Sequence, residues 1–394
     1  MVAQQLDSRL QASGIRAIVT ARAKQPKRLL AKLQQRLPTK RYRSLSDITE
    51  DIVDLAGTRV ALYFPAQRAD VDALIRDQFR ILGEPRRFPE DSSHPESYQK
   101  RFSGYWARHY RVQLNDSLLK EEQHRYCEAK VEVQVASVLM HAWAEVEHDL
   151  VYKPLSGDLS RDELAILDEL NGLVLAGEIA LERLQTAIEA RVRSQGHAFA
   201  NHYELASYLF ESTKALMKVG PTARMLGEVD ALFELAKELG IATADRIAPL
   251  IRELQTDSED RPIAEQIIDQ ILAIDPSSYH VYAGVKEEKV QARSGDIEPP
   301  LAIAVDQGLL SRWIELERIV HELEEKRGLN IGRPTSGKLR LLGIVDAAVL
   351  GKLESARKIR NQVIHGSAMP TQEVLMGART DLQTVIDHLQ SRLT

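Results

Sequence analysis

Apolar positions recur at two different spacings along the chain, and the change between them divides it. In residues 1–40, Leu29, Leu30 and Leu33 fall at helical spacing, so the segment is expected to be helix. From Asp54 to Phe64 the composition shifts to β-branched and aromatic residues, the signature of a strand. Val71, Leu74, Ile75 and Phe79 return to one helical face. Arg108 to Leu114 and Ala129 to Val135 alternate with a period of two and are expected as strands, and Val138 to Leu150 as helix. This first region is therefore expected to be α+β, with few strands and flanking helices.

Pro154 and Gly157 interrupt the pattern, and the chain beyond them is helical. Asp162 to Arg193 forms one long amphipathic period, succeeded by helices over about 202–219, 224–239, 243–256 and 260–273. The stretch from Pro276 to Pro300 holds Ser277-Ser278, Gly284, Gly295 and Pro299-Pro300, and is expected to be a boundary or an irregular connector. Helices resume over about 303–327, 337–360 and 370–392. No fixed 30–40-residue repeat stands out in this half. The expected domains are 1–158, 159–285 and 286–394.

Composition narrows the class. The chain has 394 residues, more than one ordinary core organises. It is 44% hydrophobic and 28% charged, the profile of a globular protein. No apolar run approaches the length of a membrane span, and the first residues lack the apolar core of a signal peptide. The single cysteine, Cys127, leaves no partner for an intramolecular disulfide and no Cys-rich zinc site, so a cytoplasmic protein is expected.

The net charge of −5 hides an uneven distribution. From Arg16 to Arg43 every charged residue is basic: Arg16, Arg22, Lys24, Lys27, Arg28, Lys32, Arg36, Lys40, Arg41 and Arg43. Such a run is commonly a solvated helix face. Ten positives without one acid repel each other unless an anion relieves them, which favours phosphate binding.

Three features could carry chemistry together. Arg22, Lys24 and Lys32 could converge on a polyphosphate. Asp54-Leu55-Ala56-Gly57-Thr58-Arg59 opens one strand, and Glu132 lies in another. Two carboxylates on neighbouring strands can share a Mg2+ ion, and cations opposite it would offset charge on a transferring phosphoryl group. Taken singly, Asp54 could start a turn, Arg59 could be a surface residue, and Glu132 could face solvent. Phe102-Ser103-Gly104-Tyr105 precedes Arg108-His109-Tyr110; Gly104 permits close backbone approach and Tyr105 offers a stacking ring. Spacing alone favours a turn glycine beside a core tyrosine.

In order, Ala21-Arg22-Ala23-Lys24 with Lys32, Asp54 to Val60, Gly104-Tyr105 with His109-Tyr110, Val131 to Val135 and His141 to Lys153 resemble the RelA/SpoT family of alarmone synthetases, over about residues 16–155. The resemblance implies a mixed-sheet, nucleotidyltransferase-like synthetase domain followed by an all-α region. It implies transfer of pyrophosphate from ATP to the 3′ hydroxyl of GTP or GDP, giving a (p)ppGpp-type alarmone. Toxic members instead make adenosine alarmones or pyrophosphorylate the 3′ end of tRNA. By the same resemblance, Asp54 holds the metal and Glu132 is the catalytic glutamate that orients it and activates the acceptor hydroxyl. Arg22 and Arg59 sandwich the adenine, while Lys24 and Lys32 meet the ATP phosphates. Tyr105 stacks on the acceptor base, with His109, Gln134 and Arg101 beside the acceptor. The chain departs from the family at Ala136, where arginine is usual, at Trp106-Ala107-Arg108, where Arg-Ser-x is usual, and at Arg28, where serine is common. These departures leave the metal residues in place and open the question of the acceptor.

Other classes compete with this one. His148-Asp149 is the dipeptide of metal-dependent alarmone hydrolases, which need further His and Asp ligands on separate helices; helix packing explains it better. Arg360-Asn361-Gln362-Val363-Ile364-His365 fits the R-N-x-x-x-H pattern of HEPN bundles, some of which are ribonucleases in which His is an acid or base and Arg steadies phosphate charge. A polar pair near a helix end, stopped by Gly366, is the favoured alternative. A nucleotide or RNA sensor without turnover is a further alternative, against which the Asp54 and Glu132 pair argues. Expected partners are nucleotides, with tRNA, a second copy or a regulatory protein as alternatives, and no membrane.

Overall fold

A computed structural model describes residues 1–89, 101–102, 104–116, 121–151, 159–194, 196–214, 223–254, 261–275, 277–293, 307–327, 335–365 and 370–393. The chain divides into two compact units, residues 1–194 with 203–226, and residues 195–202 with 227–394.

The first unit is α+β around a mixed sheet. It runs α1 (Val2–Ala12), β1 (Ala17–Ala23), α2 (Pro26–Arg36), α3 (Leu45–Asp51), β2 (Ala56–Leu62), α4 (Arg68–Gln78), β3 (Phe79–Ile81), β4 (Arg86–Phe88), β5 (Ala107–Leu114), β6 (Val131–Ser137), α5 (Val138–Val151), α6 (Arg161–Val192), α7 (His202–Lys214) and α8 (Ala223–Leu226). Strand order is β1-β2-β6-β5-β3, with β4 also on β5; β2 and β6 are parallel and the other pairs antiparallel. The period of two places Val60, Leu62, Tyr110, Val112, Leu114, Val133 and Val135 on one face, where they are buried against Leu6 and Leu10 of α1 and Val71, Leu74 and Ile75 of α4. The other face receives the chemistry.

Three expectations are corrected. Residues 1–40 are not continuous helix, because residues 17–23 form β1, paired with β2 from Ala17↔Leu62 to Ala23↔Ala56. Ile18, Val19 and Thr20 are β-branched and suit a sheet edge, and tertiary pairing overrides the helical spacing of the flanking leucines. The 276–300 stretch is not an irregular connector throughout, since Ser278–Arg293 is helix α12. Its buried Tyr279, Tyr282 and Val285 lie at helical spacing, and Gly284 sits on the exposed side, where it interrupts nothing. Finally, the expected 224–239 and 337–360 helices are each broken, at Gly227 and at Gly343, both with positive φ.

The second unit is all-α among its described residues: α9 (Val229–Glu238), α10 (Ala244–Arg252), α11 (Ile263–Ile274), α12, α13 (Gln307–Lys326), α14 (Thr335–Leu342), α15 (Ala347–His365) and α16 (Gln372–Leu393). No helix among the described residues is long and apolar enough to cross a membrane.

A polar network lies inside this helical unit. Arg360, only 3% exposed, is ion-paired with Asp269, donates to the Tyr279 hydroxyl and to Asn361 Oδ1 (2.7 Å), and lies 5.2 Å from the Trp313 ring centroid. Trp313 Nε1 donates to Glu317 Oε1 at 2.7 Å. Burial pushes the Glu317 carboxyl up to about 7 against the pull of Arg360. The folded pKa therefore lies above the unfolded one. The folded state disfavours the ionised form, and stability falls as pH rises from the ordinary carboxylate range through about 7. Glu317→Gln is expected to flatten that decline, so its melting temperature relative to the parent should rise between pH 5 and 8. Parallel melting curves for the two proteins across that range would contradict the assignment.

Candidate active site on one face of the sheet

The register aligns the polar residues of neighbouring strands. Arg22 on β1 faces Gly57 on β2, which faces Glu132 on β6, and Thr20, Arg59, Gln134 and His109 form the next row. Arg22, Arg59, Glu132, Gln134 and His109 thus share the face opposite the apolar core, as alternation requires. A Cβ at Gly57 would stand 3.3 Å from the Arg22 side chain, so glycine leaves room for that arginine to cross β2.

Hydrogen bonds join them into a chain. The Tyr105 hydroxyl lies 3.4 Å from His109 Nε2, and His109 Nδ1 lies 3.3 Å from Glu132 Oε1. Gln134 Nε2 donates to Glu132 Oε2 at 2.7 Å, and Arg22 donates to Gln134 Oε1 at 3.4 Å. Asp54, two residues before β2, is ion-paired with Lys24 and, at 3.1 Å, with Lys32 of α2. The Lys24 amide donates to the Leu55 carbonyl at 2.9 Å and fastens the end of β1 to this turn. Arg59 pairs with Glu145 on α5, while its buried Nε has no hydrogen-bond partner among the described residues.

Electrostatics keep both carboxylates charged. Burial alone would raise Asp54, but Lys24 and Lys32 outweigh it and hold the group below the usual carboxylate range. Burial likewise opposes ionisation of Glu132, and His109 and Gln134 overcome it, with the charge of Asp54 working against them. Two ionised, partly buried carboxylates that feel each other's charge are a donor set suited to a hard, oxygen-seeking divalent cation.

Tyr105 is positioned from α6. Asp168, buried, accepts the amides of Arg101 (2.8 Å) and Phe102 (3.1 Å), and Asn171, 2% exposed, accepts the amide of Gly104 at 3.1 Å and donates to its carbonyl at 3.4 Å. Gly104 has φ +75°, a left-handed conformation that disfavours any side chain. The backbone thus turns so that Tyr105 enters an aromatic group with Phe88 of β4 and His109, at centroid separations of 5.9 Å from each. Burial pushes the Tyr105 hydroxyl far above its usual pKa, so it stays protonated. His141 on α5, beside this group, is pushed down to about 4 by burial, and so is neutral at pH 7 and able to donate Nε2–H to the Val60 carbonyl at 3.2 Å. Arg101, expected beside the acceptor, is placed by its backbone at the end of this segment with an exposed side chain.

The sheet and its turns thus bring together Arg22, Lys24, Lys32, Asp54, Arg59, Tyr105, His109, Glu132 and Gln134. Sequence reading missed Phe88, Glu145, Asp168 and Asn171. Phe88 lies on a three-residue strand too short for a periodic signal, and Asp168 and Asn171 read as ordinary polar positions of a long helix. Four cations of the basic run find anions within the chain. Lys24 and Lys32 meet Asp54, while Arg36 (2.5 Å) and Lys40 meet Asp51, which also accepts the Tyr42 hydroxyl at 2.6 Å. Those cations pull Asp51 well below the usual carboxylate range. Arg360 and Asn361 of the R-N-x-x-x-H pattern point into the buried network of the helical unit, and the side chain of His365 lies outside the described residues.

The family model of the region found in RelA/SpoT proteins matches residues 21–156. The chain is similar to small alarmone synthetase 1 from Bacillus subtilis, at 20% identity over 48% of this chain and 90% of that one, with a TM-score of 0.36. It is also similar to a GTP pyrophosphokinase family protein from Streptococcus pneumoniae (20% identity, 47% and 84%, TM-score 0.36) and to smu.1046c from Streptococcus mutans (23%, 48% and 88%, TM-score 0.36). No curated protein matches the chain.

Proposed function

We propose that the RelA/SpoT domain of this chain, matched over residues 21–156, transfers pyrophosphate from ATP to the 3′ hydroxyl of a guanine nucleotide, making a (p)ppGpp-type alarmone. The observation that carries this reading is the pair of ionised carboxylates, Asp54 and Glu132, set among Arg22, Lys24, Lys32 and Arg59 on one face of the sheet. A site that only bound nucleotide would gain nothing from two anions facing a triphosphate.

In this reading Asp54 and Glu132 hold Mg2+, which offsets charge on the phosphates when bound. Lys24 and Lys32 exchange Asp54 for the β- and γ-phosphates, and Arg22 and Arg59 flank the adenine. Tyr105 stacks on the acceptor base. Glu132 takes the proton of the 3′ hydroxyl, its carboxylate oriented by His109 and Gln134. The freed oxygen attacks the β-phosphorus, the bond from that phosphorus to the α–β bridging oxygen breaks, and AMP leaves with the electron pair. The pairing of Arg36 and Lys40 with Asp51 takes two cations out of the stripe that a tRNA backbone would need.

The test is incubation of the full chain with γ-labelled ATP and GDP, GTP, ADP, ATP or deacylated tRNA, with products resolved by chromatography and gel. Label should pass to GDP or GTP with stoichiometric release of AMP. Label on tRNA or an adenine nucleotide would change the acceptor and keep the chemistry; no transfer to any acceptor would overturn the reading.

The clamp from α6 makes a second expectation. Asn171→Ala leaves the Gly104 amide unpaired in a buried place, a loss of about 1–3 kcal/mol that loosens the segment carrying Tyr105. The KM for the acceptor should rise on the order of tenfold, with the KM for ATP nearly unchanged. Equal rises for both substrates would show that the clamp supports the whole site and not the acceptor side.

A further inference from the structure

The connection between β5 and β6 holds a cluster that the transfer reaction does not use. Asp116 lies two residues beyond β5, and His124 and Cys127 come next in a single turn in which the Cys127 amide donates to the His124 carbonyl at 3.0 Å. Asp116 Oδ1 stands 2.6 Å from His124 Nδ1 and 3.1 Å from Cys127 Sγ. The three donor atoms all lie within 4.8 Å of one another, and no other such trio of His, Cys, Asp or Glu occurs among the described residues.

We propose that Asp116, His124 and Cys127 form a binding site for a borderline-soft divalent cation of the zinc class, independent of the transfer site. The donor set decides the metal. A thiolate and an imidazole are poor ligands for Mg2+ or Ca2+ and favoured ones for Zn2+, and a carboxylate oxygen completes a three-ligand site with water in the fourth position. Tetrahedral bond lengths of roughly 2.0–2.3 Å place donor atoms about 3.3–3.6 Å apart, so the 2.6 Å Asp116–His124 separation opens by about 0.7 Å and the 3.1 Å Asp116–Cys127 separation by about half an ångström. Without metal, the Cys127 thiol donates to Asp116 Oδ1. Binding replaces the S–H bond with an S–metal bond and releases that proton to water. The bound ion would tie the end of β5 to the approach of β6, with Cys127 only five residues before Glu132. Its side chains are exposed, Asp116 at 72% and His124 at 47%, so metal can enter from solvent.

Cobalt titration of untagged full-length protein tests this directly, because Cys127 is the only cysteine in the chain and any thiolate-to-cobalt charge-transfer band must come from it. One equivalent of Co2+ should produce that band with tetrahedral visible absorption, and one equivalent of Zn2+ should remove both. Cys127→Ser should abolish the band. His124→Ala and Asp116→Ala should weaken cobalt affinity at least about tenfold, no less than the loss of an outer partner of a ligand. Circular dichroism of each variant establishes that it folds. The proposal is overturned if equimolar cobalt gives no thiolate band, or if the band survives at unchanged affinity in both alanine variants. Magnesium-dependent transfer activity plays no part in the readout, so failure here and failure of the proposed function are distinguishable.

Discussion

Asp54→Asn and Glu132→Gln are each expected to lower pyrophosphate transfer by about 10²-fold or more while leaving the fold intact. The amide keeps the shape of each side chain and removes the charge, and losing one main electrostatic contributor to a transition state costs on that scale. The two variants should differ in binding. In Asp54→Asn, Lys24 and Lys32 lose the carboxylate that pairs them, so ATP without metal should bind as well as before or better. In Glu132→Gln, the His109 and Gln134 contacts lose their anion, and binding of ATP without metal should be little changed, while binding with Mg2+ should weaken. Calorimetric titration with and without Mg2+, beside the labelled-transfer assay, reads both effects. A rate above about a tenth of the parent in either variant would remove that residue from the chemistry.

Asp269→Ala is expected to destabilise the helical unit by about 3–5 kcal/mol, the cost of stranding a buried charge. Arg360 is 3% exposed and ion-paired with Asp269, and Arg261 shares that carboxylate. Removing Asp269 leaves a buried guanidinium, which cannot deprotonate, without its ion-pair partner. The paired change Asp269→Leu with Arg360→Met should recover much of the loss, since it removes the fully buried Arg360 charge and leaves only the partly exposed Arg261 without its carboxylate. Denaturant unfolding followed by circular dichroism measures this. The same variants bear on the R-N-x-x-x-H pattern. With Arg360 in the network, Arg360→Ala should loosen the helical unit, and total RNA should survive the parent protein intact. A fully stable Arg360→Ala that has lost a ribonuclease activity of the parent would reverse that assignment.

Much of the candidate site was legible because Arg22, Arg59, His109, Glu132 and Gln134 sit in regular strands. The period-two alternation of Val131 to Val135 puts Glu132 and Gln134 opposite the valines whatever the sheet's topology, and the order of motifs along the chain linked Asp54, Arg59, Tyr105 and His109 to them. The long amphipathic periods likewise gave α6, α7, α10, α11, α13 and α16. Local pattern failed where pairing partners are distant. Residues 17–23 are a strand because β2 lies beside them, and Gly284 is tolerated because α12 turns it outward. It also failed to separate a free charge from a paired one. The basic run from Arg16 to Arg43 lacks an acid of its own, yet Asp51 and Asp54, just beyond it, fold back onto Lys24, Lys32, Arg36 and Lys40. Sequence by itself determined which side chains could carry charge, metal or a stacked ring, because those are properties of residues and of local period. Tertiary structure alone decided which of them meet, since the contacts of Asp168 and Asn171 with residues 101–104, or of Arg360 with Asp269, span more than sixty residues and depend on packing that no local pattern encodes.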